Sequence, residues 1–139
     1  MQKHLDVFKK NEMVKFLGLE TAYRDIYAIS DLVVTDYSSA VFDFAYLRKP
    51  VLYAHFDAET FFAGAHVYTK GYFDVERDGF GEVEYDLEGT VDRIIEYMST
   101  GCKLKDKYRE RIDRFFAFDD QNNCQRVYER ILELEKETR

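Results

Sequence analysis

The sequence has few of the residues that mark disulfide-rich, metal-binding or membrane-spanning proteins. Among 139 residues it has two cysteines, one proline and no tryptophan. Cys102 and Cys124 lie far apart, with no CxxC pair and no histidine at metal-ligand spacing, so we expect neither a disulfide framework nor a metal site. A reducing, cytoplasmic compartment is therefore the default expectation. No apolar run approaches the roughly 18 residues that a membrane-spanning helix requires.

The sequence has no excess of positive charge. The 20 lysines and arginines are outnumbered by 27 acidic residues, which gives a net charge of -7. Long-range attraction to a nucleic-acid backbone requires a strong basic patch, and the basic residues between positions 103 and 114 are interrupted by acidic ones. That pattern is typical of a solvated helix face, so we expect no nucleic-acid partner.

Hydrophobic and aromatic residues are abundant instead. Hydrophobic residues make up 46% of the chain, and 11 tyrosines and 12 phenylalanines supply most of the large side chains. A chain of this length is about one domain, with enough apolar surface for a core. We therefore predict a single domain over residues 1–139 with an unusually aromatic core.

A strand-helix-strand unit is the clearest structural pattern. Residues 32–35 form a β-branched run without alternation, which is typical of a parallel strand buried on both faces. Residues 40–48 carry apolar side chains at helical spacing, and the helix is expected to stop at Lys49-Pro50 because the residue before proline disfavours helical geometry. Residues 51–54 read as a second buried strand, which predicts a right-handed βαβ crossover.

The remaining pattern predicts an α/β fold with a Rossmann-like parallel sheet, flanking helices and a helical C-terminus. Between residues 57 and 81 glycines and aromatics predict a long loop, which we expect to be poorly ordered without ligand. An edge strand is expected at 82–85, and helices at 20–30, 87–98, 104–116 and 122–137. The last two form a helical pair within 103–139.

The loop after the first predicted strand is the candidate binding site. It comprises Thr35, Asp36, Tyr37, Ser38 and Ser39, and ligands of α/β sheets bind outside the carboxyl ends of the strands. Serine hydroxyls and free backbone amides there favour a phosphate. Asp36 would repel a phosphate unless it faces a hydroxyl or an amide, so its role stays open. The alternative is structural: Asp36 and Ser39 cap the helix, and the loop is an ordinary connection.

Residues 30–45, with the sequence SDLVVTDYSSAVFDFA, are followed by Lys49-Pro50-Val51. This long run resembles the signature of the CDP-glycerol glycerophosphotransferase family of teichoic-acid polymerases and primases. Looser similarity extends through 53–57, 71–76, 81–83 and 126–127. The family resembles GT-B glycosyltransferases, which have two Rossmann-like domains around a central cleft. The resemblance implies that this chain is the C-terminal, donor-binding half, without the N-terminal acceptor domain.

The resemblance also implies a reaction. Glycerol phosphate, or a similar polyol phosphate, would move from CDP-glycerol or another CDP-polyol to a hydroxyl of a lipid-linked teichoic-acid-like polymer, with release of CMP. Asp36, Ser38 and Ser39 would lie beside the donor phosphates, with Asp43 ordering the loop and Lys70 replacing a frequent arginine. No metal or other cofactor is implied. The full-length protein would sit at the cytoplasmic face of the membrane, and the isolated chain would turn over little.

Histidine is the usual proton acceptor for such a transfer, and the chain has three histidines. His55 follows the second predicted strand on the ligand side of the sheet. His4 resembles the histidine of the family's Lys-x-His-Pro motif, although the proline is missing here. His66 lies in the long loop. His55 and His4 are the candidate catalytic residues.

Two other functions are compatible with the same site. One is a nucleotide-binding or phosphate-binding module without catalytic activity. The other is half of a GT-B enzyme whose donor is a nucleotide sugar. A preference for cytidine nucleotides would separate the polyol-phosphate transferase from both alternatives.

Overall fold

The computed structural model describes residues 11–18, 20–61, 63 and 71–138. The chain divides into two compact units, Met1–Asp31 and Leu32–Arg139. The first unit contains helix α1, Tyr23–Ile29, which is shorter than the predicted helix at 20–30. It begins at Tyr23 because the preceding Ala22 has extended backbone, and no side chain caps this end of the helix. The Ser30 hydroxyl closes its other end by donating to the Ile26 carbonyl at 2.7 Å.

The second unit is built on a three-stranded parallel sheet in the order β1-β2-β3. The strands are β1, Val33–Thr35, β2, Val51–Ala54, and β3, Gly81–Glu84. Helix α2, Ala40–Tyr46, connects the first two strands and packs against both. The predicted strand-helix-strand unit and the predicted edge strand are both confirmed.

The prediction that both strands of this unit are buried on both faces is wrong for β1. Its central residue, Val34, is 40% exposed, whereas Val51 and Leu52 of β2 are fully buried. The reason is position in the sheet. Strand β2 pairs on both edges, while β1 pairs with β2 alone among the described strands.

Helix α2 also ends earlier than predicted, at Tyr46 rather than near Lys49-Pro50. Arg48 adopts a left-handed backbone with φ of 59°. Its amide donates to the Ala45 carbonyl at 2.8 Å, and the Lys49 amide reaches the Phe44 carbonyl at 3.5 Å. These two bonds form a Schellman cap, with an arginine where glycine is usual. The cap, and not the proline, ends the helix.

Two short helices lie within the predicted loop at 57–81. They are α3, Ala58–Thr60, and α4, Val75–Asp78. Asp74 caps α4, because its carboxylate accepts hydrogen bonds from the amides of Glu76 and Arg77. An aspartate before a short polar segment is a helix-start signal, although the glycines and aromatics around it predict a loop. The predicted loop also includes residues 62 and 64–70, which lie outside the described residues.

Three longer helices complete the unit, as predicted. They are α5, Leu87–Ser99, α6, Asp106–Phe115, and α7, Asn123–Glu137. Asp86 caps α5 by accepting the Gly89 amide at 2.8 Å, and Gly101, with φ of 71°, lies just beyond the end of the helix. None of the helices in the part of the chain that the structure describes is both long and apolar enough to cross a bilayer.

The core is aromatic, as predicted. Its largest fully buried side chains include Phe44, Tyr53, Phe80 and Tyr97. The buried hydroxyls find partners: Tyr53 accepts the Phe80 amide at 3.3 Å, and Tyr97 donates to Glu82 at 2.6 Å. These bonds give the hydroxyls of two large buried rings a hydrogen-bond partner in the interior.

Candidate functional site

A cavity of about 890 Å³ opens at the carboxyl ends of β1 and β2. The loop after β1 contributes Asp36, Tyr37, Ser38 and Ser39, and the residue after β2 contributes His55. Another part of the lining comes from α3, α4 and the residues next to them, namely Glu59, Phe61, Phe73, Asp74 and Glu76, and from Tyr85, which follows β3. The structure therefore brings five predicted site residues from two loops to one cavity.

The serine loop carries two exposed hydroxyls. Ser38 Oγ accepts a hydrogen bond from the Ala40 amide at 3.2 Å, so Ser38 provides the capping contact at the start of α2. Ser39 occupies the N-cap position with helical backbone and makes no side-chain capping bond. A hydroxyl that accepts one bond still has its proton to donate. Both serines can therefore donate hydrogen bonds to an anion in the cavity.

Tyr37 is the centre of a three-ring stack. Its ring lies 4.2 Å from that of His55 and 3.6 Å from that of Phe61, measured between centroids. Its hydroxyl donates to Asp57 at 3.3 Å. Burial, followed by the neighbouring Asp57 carboxylate, raises the pKa of Tyr37 to about 12. Tyr37 is therefore a neutral ring that stacks on His55, a contact that the sequence pattern does not predict.

His55 is buried, with 4% of its surface exposed, and its ring contacts the rings of Tyr37 and Tyr53. The imidazole hydrogen-bonds the backbone of Asp36, and Nε2 is buried without a hydrogen-bond partner. Burial lowers the pKa of His55 below its ordinary value of 6.5, against the opposing effect of Asp36. At neutral pH the ring is therefore uncharged, and we infer that Nδ1 carries the proton and Nε2 is a bare acceptor.

The described lining of the cavity is acidic. It includes Asp36, Glu59, Asp74 and Glu76, and no lysine or arginine among the described residues. Asp74 is engaged as the cap of α4, and Glu76 accepts the Tyr85 hydroxyl at 2.5 Å. That hydrogen bond, together with burial, raises the pKa of Tyr85 to about 12. Carboxylates accept hydrogen bonds and do not donate them, so this wall suits hydroxyls and amines better than phosphates.

The other predicted site residues lie elsewhere. Thr35 is the last residue of β1, opposite Tyr53 in the sheet. Asp43 lines a separate cavity of about 370 Å³ beside Phe115 and Phe118. His4, His66 and Lys70 lie outside the described residues. No three His, Cys, Asp or Glu side chains in the described ranges are grouped to hold a metal ion.

Comparison with known proteins identifies the family. The model of the CDP-glycerol:poly(glycerophosphate) glycerophosphotransferase family matches residues 1–133. The minor teichoic acid biosynthesis protein GgaB of Bacillus subtilis (strain 168) is 37% identical over 135 residues, which are 97% of this chain and 14% of GgaB. The teichoic acid poly(glycerol phosphate) polymerase of the same strain is 31% identical over 112 residues, 81% of this chain and 15% of that protein.

More distant relatives have related names. The teichoic acid glycerol-phosphate transferase of Staphylococcus aureus (strain NCTC 8325 / PS 47) is 25% identical over 107 residues, 77% of this chain and 27% of that protein. This chain thus spans only a minor part of the length of the curated relatives it matches. No solved structure matches it significantly. The family model covers nearly the whole chain, and the chain therefore belongs to the CDP-glycerol:poly(glycerophosphate) glycerophosphotransferase family.

Proposed function

We propose that this chain is the donor-binding part of a transferase that moves glycerol phosphate, or a similar polyol phosphate, from a CDP-activated donor. The acceptor would be a hydroxyl of a lipid-linked teichoic-acid-like polymer. The observation that carries the proposal is the cavity at the ends of β1 and β2, which gathers Asp36, Ser38 and Ser39. Family membership and the names of the relatives support the reaction class.

The two serines would position the donor diphosphate. Phosphoryl transfer depends mainly on positioning and on stabilising charge at the phosphate oxygens. Ser38 is held in place by the Ala40 amide, and both hydroxyls can donate towards the cavity. The acceptor hydroxyl would attack the phosphorus that bears the polyol, and the bond from that phosphorus to the oxygen of CMP would break.

Asp36 would contact a hydroxyl of the donor. A carboxylate can only accept hydrogen bonds, and repulsion would keep it away from the phosphate oxygens. Hydroxyls of the polyol or of the ribose satisfy both conditions. This role resolves the apparent conflict between an acidic residue and a phosphate site in one loop.

The acceptor hydroxyl must lose a proton, and we propose His55 as the described residue that receives it. Its Nε2 has no partner, and its lowered pKa keeps the ring neutral near pH 7. The role requires the Tyr37 ring to move, because that ring stacks on His55 at 4.2 Å. His4, the other candidate, lies outside the described residues.

Positive charge for the diphosphate would come from other parts of the protein. Four carboxylates and no described cation line the cavity. We propose that Lys70 and groups in a longer polypeptide provide the compensation, and that the complete enzyme meets its lipid-linked acceptor at the cytoplasmic face of the membrane. Weak donor binding and little turnover are therefore expected from this chain by itself.

Calorimetric titration of the chain with CDP-glycerol, CMP and UDP-glucose tests the proposal. We expect CDP-glycerol to bind better than UDP-glucose. Replacing both serines, Ser38→Ala with Ser39→Ala, should weaken CDP-glycerol binding at least about tenfold, because a hydrogen bond to a charged group contributes about 1.5–3 kcal/mol. Ser99→Ala is the matched control, since the Ser99 hydroxyl donates to the Glu96 carbonyl on α5 and does not line the cavity.

Each other outcome favours a different function. Preference for UDP-glucose would indicate a nucleotide-sugar transferase half. Equal binding of all three nucleotides, sensitive to the serine pair, would indicate a general phosphate-binding module. If no nucleotide binds, or if binding is unchanged in the serine pair, the proposed donor site is wrong.

A further inference from the structure

Helix α7, Asn123–Glu137, exposes an apolar face. None of its residues is buried. Val127 is 60% exposed, Ile131 is 50% exposed and Leu134 is 45% exposed. In proteins an amphipathic helix gains most of its stability by packing its apolar face against another surface. The described part of the chain leaves this face of α7 available to a partner.

The spacing of the face matches a coiled coil. Cys124, Val127, Ile131 and Leu134 follow one another at intervals of three, four and three residues. These are successive a and d positions of a heptad, and such a seam packs against another helix by knobs-into-holes contacts. The exposed β-branched Ile131 at an a position and Leu134 at a d position are the combination that favours two parallel strands.

The charges beside the seam are self-complementary. Arg130 occupies a g position and Glu135 occupies the following e position. In a parallel pair, a g residue faces the e residue five positions later on the other helix, so Arg130 of each copy meets Glu135 of the other. In an antiparallel pair g positions face each other, which brings arginine towards arginine. The sequence of the face therefore distinguishes between the two orientations.

From these observations we propose that α7 is the interface of a parallel homodimer of this chain. The interface is distinct from the candidate donor cavity, because no residue of α7 lines that cavity. Fifteen helical residues span only about 22 Å, or two heptads. The buried area is accordingly small, so we expect a weak dimer that forms as the protein concentration rises.

Sedimentation velocity of the full 139-residue chain across a concentration series tests the interface. We expect a monomer–dimer equilibrium that Ile131→Asp abolishes, because it places a charge in the apolar seam. Gln125→Asp is the matched control: it adds the same charge to α7 at an exposed position off the seam and should leave dimerisation intact. Circular dichroism of both variants checks that the helix content is retained.

Reversal of the two charges tests the proposed ion pair between Arg130 of one copy and Glu135 of the other. Arg130→Glu and Glu135→Arg should each weaken the dimer several-fold, and the double variant should restore it. Arg130 also pairs with Glu133 and Glu137 of its own helix, at 2.9 and 3.7 Å. Loss of those local pairs would weaken the single variants but would not be reversed by Glu135→Arg, so the restoration is specific to contact between two copies.

Oxidation tests the orientation. Cys124 is exposed at the first a position, and parallel packing places the two copies of Cys124 opposite each other, within reach of a disulfide. Mild oxidation should give a covalent dimer that Cys124→Ser removes while Cys102 remains. A monomer at every concentration, a dimer insensitive to Ile131→Asp, or a dimer without the Cys124 cross-link would overturn the proposal.

Discussion

His55 is a buried titratable residue, and its burial makes the folded protein less stable at low pH. Because burial lowers its pKa in the folded protein, the unfolded chain binds a proton more readily as the pH falls through the ordinary value of 6.5. The folded state therefore loses stability below about that pH. We expect the midpoint of thermal unfolding to fall between pH 7.5 and pH 5.5, and the fall to be smaller in His55→Gln.

His55→Gln retains a polar side chain that can hydrogen-bond the backbone of Asp36, but it does not titrate. Thermal unfolding followed by circular dichroism at several pH values provides the measurement. The other two histidines serve as the internal reference, because they remain in the variant. An identical pH dependence in the two proteins would mean that His55 is not the group responsible.

The sequence predicts the site residues that lie within one loop, but not the contacts between residues from separate segments. Asp36, Ser38 and Ser39 were identified because a polar loop follows a β-branched run, and they do line the cavity. The stacking of Tyr37 between His55 and Phe61 could not be predicted, since these rings come from three separate segments. Asp43 was placed in the site by resemblance, but it faces the second cavity because it lies on another side of α2.

At the scale of the elements, the pairing of β2 and β3 depends on a glycine. Gly81 lies opposite Val51, and a Cβ atom at Gly81 would come within 1.6 Å of the Val51 carbonyl oxygen. That neighbour is backbone inside a sheet and cannot move aside. We expect Gly81→Ala to destabilise the protein by at least about 1–3 kcal/mol, the usual cost of overpacking.

Gly71→Ala is the matched control for this change, because a Cβ atom there would meet nothing within 4 Å. Urea unfolding of both variants compares their free energies directly. A loss of stability in Gly81→Ala no larger than that in Gly71→Ala would show that the strands can separate enough to accept a methyl group.

The elements themselves were largely predictable, and the exceptions have physical causes. Helices α5, α6 and α7 follow clear apolar periodicity, so their positions were found within two residues. The end of α2 was misplaced because Arg48 adopts a left-handed conformation that side chains other than glycine seldom adopt. In α5, however, the apolar Ile95 and Met98 are exposed, and Thr90 and Tyr97 are the buried residues.

At the scale of the whole molecule, a charged network joins the sheet to the helices. Lys105 precedes α6, and its ammonium group contacts Glu82 of β3 at 2.7 Å and Glu96 of α5 at 2.5 Å. Only 13% of the Glu82 side chain is exposed. We expect Lys105→Met to lower the free energy of unfolding by about 1–3 kcal/mol, because it leaves a mostly buried carboxylate without its cationic partner.

Lys103→Met removes an equal charge from an exposed position nearby and should have almost no effect on stability. Chemical denaturation at low and high salt measures both variants. A Lys105→Met variant as stable as Lys103→Met would mean that the network contributes no net stabilisation.

The half-exposed β1 strand affects the tendency of the protein to associate and precipitate at high concentration. Val34 places an apolar side chain on a strand that pairs with β2 alone in the described sheet, so the other side of β1 has no strand partner among the described residues. Unprotected edges of this kind are templates for intermolecular hydrogen bonding and for precipitation. Replacing Val34 with lysine would reduce intermolecular pairing at that edge and leave the buried strand β2 unaltered.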